Sequence, residues 1–190
     1  MEEFKTWFLV GFDHILNVAA LDHILFVLAL VVVYKPNMIK QIVILITAFT
    51  IGHSITLIIS ALDLITYDQK VIEFAIPLTI VLTSLNNIVN RKKEMKKAVN
   101  SNYVIALVFG LVHGLGFANY LKALLFEGNI VMELFSFNVG IEVAQLIIVF
   151  VFLFCSFLGS NYLFKKRENW VLFVSSAIFG ISLMLTLNAK

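Results

Sequence analysis

The sequence predicts an all-α polytopic membrane protein with about six transmembrane helices. Of its 190 residues, 61% are hydrophobic and only 14% are charged, whereas soluble proteins average roughly 25% charged residues. The mean hydropathy is +0.97, and a water-soluble domain could not cover its surface with so few charges. Long apolar runs alternate with short polar connections, and a single transmembrane domain over residues 1–190 accounts for this length.

Six runs approach the ~20 residues that an α-helix needs to cross about 30 Å of hydrocarbon. We predict spans at Val18–Tyr34, Lys40–Ser60, Val71–Asn90, Asn102–Leu121, Ile130–Phe157 and Trp170–Leu187. The segment before them, Phe4–Leu16, is apolar but too short to cross alone. We interpret it either as an interfacial helix or as a re-entrant half-helix.

The basic residues predict the orientation of the spans. Ten of the 14 lysines and arginines lie in the connections after the first, third and fifth spans. Because short cytoplasmic loops are enriched in these residues, both termini are expected on the non-cytoplasmic side. The same topology explains the net charge of +2, so we expect no nucleic-acid partner.

Two classes of function are excluded by what the sequence lacks. Cys155 is the one cysteine, so a disulfide framework or a cysteine-based metal site within the chain is excluded. The chain also has no GxxxxGK[ST] phosphate loop, which excludes nucleotide-driven transport by this chain alone.

The candidate functional residues are polar side chains inside the apolar runs. All four histidines fall in such runs, and Asp22 and Glu142 join them. A carboxylate in the bilayer centre costs ~3 kcal/mol or more, so each should face a partner or a cavity. Counted at 1.5 Å per residue from the cytoplasmic ends of their spans, His23, His53, His113 and Glu142 lie about 17–22 Å above the inner surface. We therefore predict that these four residues surround one cavity.

Neighbouring polar residues support this interpretation. Asn138, Glu142 and Gln145 form a stripe at i, i+4 and i+7, and Thr50 and Ser54 flank His53. Gly110 and Gly114 bracket His113 at small-xxx-small spacing, which lets a neighbouring helix approach closely. We expect Ser54, Asn138 and Gln145 to support the site or to line a pathway to it. His14 lies nine residues before His23 and is expected near the outer surface as a pathway residue.

Imidazole nitrogen with carboxylate oxygen and no thiolate suits a borderline divalent ion such as Ni²⁺, Co²⁺ or Zn²⁺. Such an ion would be either transported or held in place. The donor set alone leaves open a permease, an intramembrane zinc hydrolase whose carboxylate activates water, and an accessory protein that binds haem between histidines.

Four stretches resemble the HupE/UreJ family of bacterial membrane proteins. They are HILNVAALDHILFVLAL (14–30), LITAFTIGHSITLIIS (45–60), FGLVHGLGFA (109–118) and FNVGIEVAQL (137–146). The combination of Asp-His, Gly-His-Ser, His-Gly-Leu-Gly and Asn-x-Gly-x-Glu carries the resemblance, which is strongest to shorter members without a signal peptide.

The resemblance implies uptake of a divalent metal, nickel or cobalt, by a secondary permease in the bacterial inner membrane. It implies that Asp22, His23, His53, His113 and Glu142 are the metal ligands. The partners it implies are the ion, membrane lipid and nickel-enzyme maturation systems for hydrogenase and urease, and the protein is compatible with a homo-oligomer.

Overall fold

A computed structural model describes residues 2–17, 21–92, 99–124 and 130–189, which fold into α-helices without strands. Seven helices occur in these ranges. They are α1 (Glu2–Leu16), α2 (Leu21–Val31), α3 (Ile39–Ala61), α4 (Gln69–Asn90), α5 (Val99–Leu124), α6 (Ile130–Leu158) and α7 (Arg167–Asn188). The helices α3 to α7 are long and apolar enough to cross a membrane, so the predicted all-α polytopic fold is confirmed.

The structure of the first span differs from the continuous helix predicted at Val18–Tyr34. Neither α1 nor α2 is long enough to cross alone, but together they have the length and hydropathy of one span, and their axes meet at 73°. The predicted start of this span at Val18 lies outside the described residues, and α2 begins at Leu21. The total is therefore five continuous helices and one broken pair, in agreement with about six spans.

The short helix α2 lies at the centre of the bundle. It contacts α1, α4, α6 and α7, and Phe26 packs against Phe49 of α3 and Phe109 of α5. Most of its side chains are buried, although a surface helix would show one exposed face. At its start, His23 is buried, and Asp22 beside it is partly exposed to a cavity inside the bundle.

Glycines allow α3 and α5 to form the most extensive helix pair. A Cβ on Gly52 would collide with the Leu107 carbonyl, and one on Gly110 would collide with the Phe49 carbonyl. Gly114 likewise faces the backbone of His53. The close approach predicted from Gly110 and Gly114 is therefore made to α3, the helix that carries His53.

A second glycine contact joins α1 to α6. A Cβ on Gly11 would meet the backbone of Phe137, and a Cβ on Gly140 would meet the backbone of Phe8. Gly140 lies ten residues into α6, about 15 Å from its start at 1.5 Å per residue. Contact at that depth favours the re-entrant interpretation of the N-terminal segment over the interfacial one.

We predict that Gly110→Val lowers the thermal stability of the protein in detergent, since the added side chain must displace the α3 backbone. Overpacking of this kind costs about 1–3 kcal/mol. The matched control is Gly180→Val in α7, because a Cβ on Gly180 has no neighbour within 4 Å. The melting temperatures of the two variants are compared by far-ultraviolet circular dichroism. Equal melting temperatures for the two variants would contradict the proposed contact.

Candidate metal centre

Four histidines from four helices meet in the interior of the bundle. His14 stands in the last turn of α1, His23 in the first turn of α2, His53 near the middle of α3 and His113 near the middle of α5. The ring centroid of His23 lies 4.5 Å from that of His14, 5.6 Å from that of His113 and 6.4 Å from that of His53. The His14 and His53 centroids are 6.2 Å apart. Burying polar groups costs free energy unless they gain a partner, so imidazoles gathered in an apolar interior indicate a shared ligand.

Two groups of three residues have ligand atoms close enough to hold one ion. The first is His14, His23 and His53, and the second is Asp22, His23 and His113. Within each group, one ligand atom from each residue lies within 4.8 Å of the others. His23 belongs to both groups, so the two share one side chain.

Asp22 orients the shared histidine. Its Oδ1 is 3.2 Å from Nδ1 of His23. When Nδ1–H of His23 donates to this carboxylate, the lone pair lies on Nε2, which is buried and has no hydrogen-bond partner among the described residues. This arrangement matches the carboxylate–histidine pairs that fix the tautomer of metal-binding imidazoles.

Thr79 of α4 fixes the tautomer of His113. The Thr79 hydroxyl donates its one hydrogen to the Ile76 carbonyl at 2.7 Å, and its oxygen lies 3.1 Å from Nε2 of His113. When the hydroxyl hydrogen points to Ile76, Nε2 of His113 carries the ring hydrogen and donates it to Thr79. The lone pair is left on Nδ1, which is buried and unpartnered among the described residues and is free to bind an ion.

His53 is fully buried, and within the described chain neither of its ring nitrogens has a hydrogen-bond partner. Each unsatisfied buried polar atom costs about 1–3 kcal/mol. A cation bound to one nitrogen would satisfy its lone pair. His53 is therefore the residue whose environment argues most directly for a ligand.

A cavity of about 570 Å³ leads to the histidines. Gln69 and the exposed Glu73 line it in the first two turns of α4. His14, Asp22, His23 and His113 also line it, together with apolar side chains and Pro77. An ion could therefore reach part of the cluster from the end of the bundle where α4 begins.

Glu142 occupies a different place from the histidines. Its Oε1 accepts a hydrogen bond from the Thr47 hydroxyl at 2.6 Å, and it belongs to neither metal-binding group among the described residues. The adjacent Gln145 is fully buried and accepts from Thr50 at 3.0 Å, while its Nε2 has no partner among the described residues. Both contacts join α6 to α3, one to two turns from His53.

The two other predicted supporting residues bond within their own helices. The Ser54 hydroxyl donates to the Thr50 carbonyl at 2.7 Å. The Asn138 amide donates to the Leu134 carbonyl at 2.7 Å, and its buried Oδ1 has no partner among the described residues. Neither residue belongs to the two groups of three, so their roles at the site stay predictions.

His14 lies deeper than its distance along the sequence from His23 suggests. The nine-residue offset was converted to height as if one straight helix joined the two residues. The axes of α1 and α2 instead meet at 73°, which brings the two rings to 4.5 Å. The expectation that His14 lies near the outer surface is corrected for this reason.

Helix α4 brings Thr79 to the site, a residue that the sequence pattern did not mark. Thr79 stands in a polar stripe with Thr83, which by itself is equally typical of simple helix packing. The position of Pro77 two residues earlier was the available signal, since proline in a helix interior leaves a backbone carbonyl without its donor. Such breaks are frequent where a helix lines a cavity.

Comparison with known protein families assigns the chain. The profile described as HupE / UreJ protein matches residues 1–188. This chain belongs to the HupE/UreJ family. The family is associated with nickel and cobalt uptake, and the broken helix, the Asp-His pair and the clustered histidines lie in the stretches that suggested the relationship. No curated protein and no solved structure matches the chain.

We predict that Thr79→Val weakens binding of Co²⁺ to the purified protein by up to about tenfold, because a group that orients one metal-binding histidine is lost while the other ligands remain. Valine keeps the shape but cannot accept the hydrogen of Nε2. The matched control is Thr83→Val, one turn later, because among the described residues the Thr83 hydroxyl bonds to the Thr79 carbonyl of its own helix and to no ligand residue. Titration calorimetry measures both. Equal affinities for the two variants would contradict the role of Thr79.

Proposed function

We propose that this protein is a secondary permease that carries a divalent transition metal, nickel or cobalt, across the bacterial inner membrane. The observation that carries the proposal is the convergence of four histidines and Asp22 at the inner end of a cavity inside a membrane-spanning bundle. The association of the HupE/UreJ family with metal uptake supports it. The ion is the substrate, and it passes through the cluster.

The chemistry of the donors suits this cargo. A divalent ion that enters a low-dielectric interior loses part of its hydration shell, and imidazole nitrogens replace the lost water ligands. Asp22 and Glu142 supply negative charge that offsets the charge of the ion. Neutral nitrogen donors favour Ni²⁺ and Co²⁺ over Mg²⁺ and Ca²⁺, which prefer sites built entirely of oxygen.

The direction of transport follows from the orientation that we propose. The helix α4 begins after a connection with few basic residues, whereas the connection that follows it is strongly basic. Under the positive-inside rule, the start of α4 faces away from the cytoplasm. The cavity lined by Gln69 and Glu73 would then open to the outside and would admit the ion for uptake.

The proposal includes the surroundings of the protein. Large apolar side chains are exposed along α3 to α7, as expected where helices contact lipid. We propose that the imported metal supplies nickel-enzyme maturation systems inside the cell. The second candidate is a zinc hydrolase, because three imidazoles with an open position also form a catalytic zinc site and Asp22 could activate water.

Transport and hydrolysis are separated by one experiment. We predict that proteoliposomes take up Ni²⁺ or Co²⁺, and that His53→Ala and His113→Ala each reduce uptake about tenfold or more. The reason is that alanine leaves a lost water ligand unreplaced. The assay compares Ni²⁺, Co²⁺, Zn²⁺ and Mn²⁺, with size-exclusion profiles to show that each variant folds. Absence of flux for all four ions, together with tight stoichiometric zinc, would replace the permease with the hydrolase.

We predict that Glu142→Gln lowers uptake although it preserves shape and hydrogen bonding to Thr47. The change removes the charge that offsets the passing ion. The matched control is Glu168→Gln, the same change in the first turn of α7 and away from the cavity. Unaltered uptake in Glu142→Gln, measured beside this control, would remove Glu142 from the pathway.

The orientation is tested by labelling. We predict that a cysteine at Lys96, in a background where Cys155 is replaced by serine, stays protected from a membrane-impermeant thiol reagent in intact cells. The basic connection that contains Lys96 should face the cytoplasm. A cysteine in place of Lys70, an exposed residue in the first turn of α4, serves as the accessible counterpart. Labelling at position 96 but not at position 70 would reverse the topology and the proposed direction of entry.

A further inference from the structure

The two ligand groups differ in their relation to the cavity. Asp22, His23 and His113 all line it, and we call this group the cavity position. His14, His23 and His53 form the buried position: His14 and His23 also line the cavity, whereas His53 is fully enclosed and is not part of the cavity wall. The cavity position has all three of its ligands on the cavity wall, so it is the first complete group that an ion from the cavity can reach. The buried position is completed by His53, which lies behind that wall.

We propose that an ion passes through these two positions in sequence and that His23 transfers it from one to the other. The inference rests on the proposed function, since it assumes that these side chains bind the transported ion. It goes beyond that function because it divides the cluster into two stations with different ligands and assigns a different task to each.

The chemistry of His23 implies that the cluster holds one ion at a time. A neutral imidazole has one nitrogen with a free lone pair and one nitrogen that carries hydrogen. His23 therefore completes the cavity position or the buried position, but not both. Two divalent ions separated by little more than the width of one imidazole would also repel each other strongly. The stations are alternatives for a single ion.

The two stations differ in selectivity. The cavity position contains a carboxylate, which attracts any divalent cation, including the oxygen-preferring Mg²⁺ and Ca²⁺. The buried position offers three neutral imidazoles and no carboxylate, so only ions that accept nitrogen ligands gain enough to enter it. Mg²⁺ would then compete for the cavity position but would not advance to the buried one.

Asp22 changes its task as the ion moves. In the cavity position its carboxylate binds the ion directly. When the ion occupies the buried position, Asp22 accepts the hydrogen of Nδ1 of His23 and so keeps the lone pair on Nε2. The structure places the carboxylate for this second task, with Oδ1 of Asp22 at 3.2 Å from Nδ1 of His23.

The test uses binding rather than transport, with Co²⁺ as an absorbing probe on the purified protein. His53→Ala and His113→Ala should each retain binding of one Co²⁺, weakened by no more than about tenfold, because the ion shifts to the intact station. The double variant and His23→Ala should each lose more than about 100-fold, because neither station survives. Ser84→Ala, a buried α4 residue that bonds to its own helix, is the control.

Spectra and competition identify the stations. Cobalt in His113→Ala should show the absorption of an all-nitrogen site that excess Mg²⁺ does not displace. Cobalt in His53→Ala should show a mixed nitrogen and oxygen site that Mg²⁺ displaces. His53→Phe and His113→Phe, which fill the space of each ring, repeat the measurement if an alanine variant does not fold.

Two results would overturn the two-station arrangement. One is a single substitution at His53 or His113 that removes binding as fully as the double variant. The other is an identical spectrum and an identical Mg²⁺ response in both single variants, which would mean one shared site. If the variants show the expected binding pattern but the wild type shows no flux in liposomes, the two-station proposal stands and the permease proposal fails. The two failures are therefore distinguishable.

Discussion

The architecture depends on the enclosure of one short helix, α2, by the rest of the bundle. Eleven residues at 1.5 Å each extend only about 16 Å. The helix α2 therefore begins inside the protein rather than at a membrane surface. That turn carries Asp22 and His23. A continuous helix would place backbone hydrogen bonds and apolar side chains at this depth, whereas a helix end leaves room for polar groups and for a neighbouring chain segment.

Close backbone contacts then fix the other donors around this helix end. Glycines let α3 and α5 approach until backbone meets backbone, so the heights of His53 and His113 cannot vary independently. Gly11 packs against the backbone of Phe137, and Gly140 packs against that of Phe8. These contacts set the position of α1 and hence of His14. Thr79 turns the free nitrogen of His113 away from α4. The centre is positioned by packing between helices, and its hydrogen bonds mainly select tautomers.

Much of this arrangement was predictable because membrane helices are long, apolar and regular. Runs of about 20 residues predicted α3 to α7, and counting along straight helices predicted a similar depth for His23, His53 and His113. The same counting misplaced His14, because the geometry between α1 and α2 is a bend that periodicity does not contain. The sequence pattern also did not predict how α6 is rotated about its axis. That rotation brings Glu142 to Thr47. The roles of these residues as ligands stay predictions.

The unequal contacts between helices have a mechanical consequence. The pairs α3–α5, α1–α6 and α4–α7 share extensive interfaces, whereas contacts between members of different pairs are much sparser. We therefore expect the bundle to deform more easily along the seams between pairs than within a pair. His53 and His113 stand together on the α3–α5 pair, whereas His14 stands on the α1–α6 pair and His23 on α2. Sliding of one pair past another would therefore leave the spacing of His53 and His113 unchanged and would alter the distances from His14 to both of them.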